Sequence, residues 1–120
     1  MNDYLQKLKA TKAAYPFQRW GASSLEQYTP EACKAFTRIF DRLIDELGKL
    51  GPAADDPAKL AAFEQAVLAL NDLNDEDERL IETDEREQLC KLVNTIAGAA
   101  GLDPKDYGDG EGPASEWREW

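Results

Sequence analysis

The sequence predicts an all-α fold, a small antiparallel bundle of about four helices completed by an ordered aromatic loop and a C-terminal tryptophan tail. Three observations carry that expectation. Apolar residues recur at spacings of three and four along separate segments, those segments open on helix-start residues, and no stretch alternates apolar and polar residues as a half-buried strand would. A chain of 120 residues, 42% hydrophobic and 32% charged, suits a single core. Residues 1–120 are therefore expected to form one domain, with 108–120 as a Gly-rich linker and Trp tail.

The first element is a short amphipathic helix over residues 3–14, with Tyr4, Leu5 and Leu8 on one side and Lys7, Lys9 and Lys12 around them. The stretch from Tyr15 to Tyr28 holds Pro16, Gly21 and two serines beside Phe17 and Trp20, and reads as a loop pinned by aromatic rings. Thr29-Pro30-Glu31 then opens a long helix: threonine can cap free amides, proline loses no needed donor, and glutamate meets the positive helix end. Its stripe is Cys33, Phe36, Phe40, Leu43, Leu47 and Leu50, widened by Ile39 and Ile44, and Gly51-Pro52 ends it.

Asp56-Pro57 repeats the opening, and Leu60, Phe63, Val67 and Leu70 carry the next helix to about Asn74. Its other side holds Ala58, Ala61, Ala62, Leu68 and Ala69. The expectation is a central helix packed on two sides, and the alternative is a Leu/Ala face left for a partner. Asp84 and Glu87 resemble a capping pair before a helix running to about Ala100, with Leu89, Val93, Ile96 and Ala100 as its stripe, widened by Cys90 and Ala97. Gly101-Leu102 suits a glycine cap with a following apolar contact. Asp103-Pro104 can start one more turn through Tyr107, GDGEGPA is flexible in composition, and Pro113 with Ser115 can start a turn that aims Trp117 and Trp120 the same way.

Composition removes several functions. Fourteen basic against twenty-four acidic residues give a net charge of -10, which disfavours direct contact with nucleic-acid phosphates. With no histidine, His-based triads, HExxH zinc sites and histidine pH switching are out. No phosphate-binding glycine loop, dinucleotide motif or nucleophile elbow is present, so no catalytic residue, cofactor or metal is expected and the protein is read as a non-enzyme. Residues Asp72 to Glu78 resemble the opening of an EF-hand loop, but Asp77 stands where glycine is needed and Thr83 where a bidentate glutamate is needed. The acid-rich loop of Asp103, Asp106, Asp109 and Glu111 lacks that register too. Cys33 and Cys90 are too few for a disulfide scaffold and are expected as small buried core residues, which with the absence of a signal segment or membrane span points to the cytoplasm.

The placement of charge is more informative than its total. Residues 1–20 carry four basic groups and one acidic, whereas residues 55–120 carry eighteen acidic and six basic. Nine carboxylates fall between Asp72 and Glu87 against two arginines. Asp84, Glu85 and Glu87 serve a helix N-terminus. The others, Asp72, Asp75, Glu76, Asp77, Glu78 and Glu82, are candidate partner-binding residues that could steer a basic protein surface into contact. Trp117 and Trp120, three apart near the chain end, are the second candidate set, either docked on their own domain or inserted into a partner. The expected function is that of an acidic protein-interaction domain, such as an inhibitor, an immunity protein or a nucleic-acid mimic. The competing expectation is an assembly subunit that self-associates through Leu68 or the Trp tail.

Overall fold

A computed structural model describes residues 2–17, 30–51, 53–76, 83–110, 112–118 and 120. Among them are four α-helices and no strand: α1 (Asn2–Ala10), α2 (Pro30–Leu50), α3 (Asp56–Glu76) and α4 (Thr83–Ala99). A 3-10 turn at Thr11–Ala14 extends α1, so the first element spans the expected stretch in two geometries, and three more such turns follow α4 at Pro104–Asp106, Gly108–Gly110 and Pro113–Glu116. The all-α class is therefore the observed one. No described helix is long and apolar enough to cross a membrane.

The predicted stripes form one core. Phe36, Phe40 and Leu47 from α2, Phe63, Val67 and Leu70 from α3, and Leu89, Val93 and Ile96 from α4 are all fully buried. Leu8 of α1 joins them, and Tyr4 donates its hydroxyl to the Leu47 carbonyl at 3.0 Å. Helix α1 packs on both α2 and α4, and α2 packs on α3. Two stripe members depart from expectation: Leu50, at the last turn of α2, is 39% exposed, and Leu5 faces outward beside Gly48.

The molecule measures 42 × 29 × 19 Å. Its thinnest dimension holds about two helix diameters, so no helix can be enclosed all round. That geometry corrects the expectation for α3 as a central helix: Leu68 is 43% exposed on its outer face. The inner face of α3 buries two polar side chains instead. Lys59 passes through the core edge to donate from Nζ to the Ala100 carbonyl at 2.8 Å, and Asn71 donates from Nδ2 to the Trp117 carbonyl at 3.0 Å.

The C-termini of α2 and α4 follow the predicted chemistry. Gly51 ends α2 with φ +81° and its amide on the Leu47 carbonyl. At the end of α4, Gly101 has φ +89°, its amide donates to Gly98, and the Leu102 amide donates to Ala97. This double bond pattern with a buried Leu102 is a Schellman closure. The Ala100 carbonyl that it leaves over is the one taken by Lys59. Thr29, Trp20 and most of the 15–28 loop lie outside the described residues, as do the side chains of the Asp84 cap.

Candidate functional site

The acidic candidates begin on the last two turns of α3. The helix runs beyond the expected end at Asn74 to Glu76, and Asp72, Asp75 and Glu76 are exposed on it. No basic residue occupies its last turn. That arrangement is electrostatically unfavourable, because the carbonyl end of a helix carries partial negative charge and favours cations. Local stability therefore explains the acids at the start of α4 but not those at the end of α3. Asp77, Glu78 and Glu82 lie outside the described residues. Glu85, in the first turn of α4, is only 7% exposed.

Of the tryptophan candidates, Trp117 is tied to the same stretch of α3. The Asn71–Trp117 hydrogen bond ties the tail to the helix one residue before Asp72. The turn Pro113–Glu116 packs on both α3 and α4, and both Trp117 and Trp120 are half-buried against the core. Arg118 lies over the Trp120 ring at 5.6 Å. The Trp120 Nε1–H and Asn74 Oδ1 are both buried without a hydrogen-bond partner among the described residues.

The segment whose glycines read as flexible is built into this corner. Gly108, Gly110 and Gly112 all adopt positive φ, at +58°, +91° and +118°. The amides of Gly110 and Gly112 donate to the Tyr107 carbonyl at 3.1 and 3.0 Å, and the Gly108 amide donates to Glu116 Oε1 at 2.9 Å. A Cβ on Gly112 would overlap the Asn94 side chain of α4. These glycines supply backbone shapes and close approach that other residues resist. Composition alone does not distinguish that use from flexibility.

Tyr15 and Phe17, with Phe36 and Phe40 of α2, form a ring cluster with centroids 5.3 to 6.1 Å apart. Tyr15 donates its hydroxyl to Asp41 at 2.9 Å, and Lys12 approaches the same carboxylate at 3.4 Å. Burial, and then the hydrogen bond and negative charge of Asp41, push the Tyr15 phenol well above its ordinary value of 10.0. Burial also raises Tyr4 and, with Asp56 and Asp106 nearby, Tyr107. Neither cysteine is fully buried, contrary to expectation. Both are half-buried thiols at the margin of the core, with Cys33 Sγ 3.3 Å from the Phe17 carbonyl and its thiol pushed up by burial.

No protein-family model, curated protein or solved structure matches the chain. The sequence and the geometry of the acidic α3 end, with the tail beside it, are therefore what a functional reading rests on.

Proposed function

We propose that the protein is a non-enzymatic interaction domain whose acidic α3 end engages a basic protein surface, in the manner of an inhibitor, an immunity protein or a nucleic-acid mimic. One observation carries this reading: Asp72, Asp75 and Glu76 stand exposed at a helix C-terminus with no cation in the last turn, where they oppose the helix dipole. Their position is unfavourable for the isolated helix and favourable for attracting a cationic partner. Asp77, Glu78 and Glu82 continue the same run in sequence. The half-exposed edges of Trp117, whose carbonyl Asn71 holds, and of Trp120 offer apolar contact in addition to the charge.

The bundle that presents this surface is antiparallel in the same proposal. Each of α2 and α3 has 21 residues, a length of about 31 Å. The link of residues 51–55 reaches at most about 18 Å, too little to return the chain for a parallel pair. An ordered aromatic loop and a docked Trp tail complete the bundle in this proposal. The protein works in the cytoplasm, without direct nucleic-acid or membrane contact, and its two thiols stay reduced there.

Affinity capture from extract of the source cells tests the reading. Immobilised wild-type protein is compared with a variant carrying Asp75→Asn, Glu76→Gln, Asp77→Asn and Glu78→Gln. The wild type is expected to retain a basic protein that elutes with salt and that the variant loses. Because the substitutions relieve the dipole conflict, the variant should melt at the same temperature or slightly higher, by up to about 1 kcal/mol of stability. Equal retention by both proteins would refute the acidic surface.

A further inference from the structure

The outer faces of α2 and α3 enclose an open groove of about 640 Å³. Ile39 and Leu43 floor it on the α2 side, and small alanines line the α3 side. Of the three large apolar side chains left exposed among the described residues, two, Leu50 and Leu68, line this groove. Charge is distributed unevenly on its rims. Arg38 is exposed on the α2 rim and Asp72 on the α3 rim, and neither has an ion-pair partner among the described residues.

With α2 and α3 antiparallel across the 51–55 link, Arg38 and Asp72 stand at the same end of the groove, on opposite sides. We propose that this groove is the contact face of a homodimer whose two-fold axis runs parallel to the helices. Such an axis keeps every residue at its level along the groove and exchanges the rims, so α2 of each copy lies on α3 of the other. Arg38 of each copy then faces Asp72 of the second copy, and both unpaired charges are matched twice. A two-fold axis perpendicular to the helices would bring Arg42 level with Glu46 of the second copy, a carboxylate that Lys49 already approaches at 3.8 Å, and would leave Arg38 opposite Leu50 and Asp72 opposite the uncharged Ala58 end. The parallel axis is the arrangement in which Arg38 and Asp72 both meet an opposite charge. The Leu68 side chains enter the opposite groove, where alanines leave room for close helix approach.

From Arg38 to Leu50 the groove is about 18 Å long. A two-helix face of that length covers roughly 400 Å² per copy, about half of a standard interface, so the dimer forms in the micromolar range or above. The net charge of -10 opposes association, and screening at about 0.15 M salt limits that repulsion to roughly 8 Å. Asp75 and Glu76 do not line the groove and stay open at one end of the dimer. The inference uses the antiparallel pairing but not the basic partner, so a strictly monomeric protein that still captured a basic protein would overturn only the dimer.

Sedimentation of the full chain from about 1 μM to about 1 mM tests it. The mass is expected to rise from 13.4 kDa toward twice that value. Leu68→Asp should hold the protein monomeric with an unchanged circular dichroism spectrum. Arg38→Asp and Asp72→Arg should each weaken association by about tenfold or more, since each sets like charges face to face. An equimolar mixture of the two single variants pairs every reversed charge with its opposite, as does the double variant, and both should recover wild-type association. A wild type that stays monomeric at the highest concentration would overturn the proposal and leave the groove to another occupant. So would association insensitive to Leu68→Asp, or single variants whose mixture shows no recovery.

Discussion

Lys59 shows how much one residue can do without announcing itself. Its stem crosses buried ground beside the Tyr4 ring, and its ammonium closes the Ala100 carbonyl that the glycine cap of α4 leaves over. A cation at a helix C-terminus is favoured by the dipole as well as by the hydrogen bond. Lys59→Met keeps the stem but orphans a buried carbonyl, and should lower stability by about 1–3 kcal/mol in urea unfolding. An unchanged midpoint would mean that water or another group takes over the carbonyl. Nothing in the sequence marks this role, because a lysine beside an apolar stripe reads as solvent-facing and its acceptor is 41 residues away. Tyr15 makes a second residue-scale prediction. Its folded value lies above the ordinary 10.0, so its contribution to stability is fully present below pH 10 and is lost as pH rises beyond it, where the unfolded chain ionises first. Urea midpoints of the wild type should fall from about pH 10 upward, and Tyr15→Phe should flatten that fall. A parallel decline in both proteins would place the alkaline sensitivity elsewhere, with Tyr4 or Tyr107.

At the scale of elements, the helices were the most legible part. The stripes Phe36–Phe40–Leu47, Phe63–Val67–Leu70 and Leu89–Val93–Ile96 are buried because spacings of three and four leave one face of a helix to meet the others. Gly101-Leu102 was readable as a closure because the Schellman motif is local. Leu50 was not, because its exposure depends on where the partner helix ends rather than on its own phase. Helix α3 was the least legible: it buries Lys59 and Asn71 and exposes Leu68, so its hydrophobic pattern is blurred on both sides. The segment 108–114 was misjudged for flexibility for a related reason, since glycine serves freedom and fixed positive φ equally well. Truncation after Ala114 removes the Asn71–Trp117 and Gly108–Glu116 bonds together with two half-buried indoles. The loss should be about 2–4 kcal/mol after the entropy of the freed tail is credited, a fall in melting temperature of roughly 10 °C. A melting temperature that does not move would show that the tail adds nothing to the fold and is kept for a partner.

The whole molecule is electrically lopsided, with a basic first segment and acid gathered in its second half. This asymmetry was legible in the sequence, and so was the share of Asp84, Glu85 and Glu87 in a helix start; that Asp75 and Glu76 belong to α3 was not, because that helix was expected to stop near Asn74. Its extension to Glu76 puts Asp72, Asp75 and Glu76 together on the last turns of the helix. The central claim is that these groups are kept for steering a basic partner rather than for folding, and the association rate constant as a function of salt tests it most directly. Stopped-flow mixing with the captured partner should show a rate that falls as salt rises from about 0.02 to about 0.5 M, as the screening length shortens. The variant neutralised at positions 75–78 should associate about tenfold more slowly at low salt and converge on the wild type at high salt. A wild-type rate indifferent to salt and equal to that of the variant would contradict the claim.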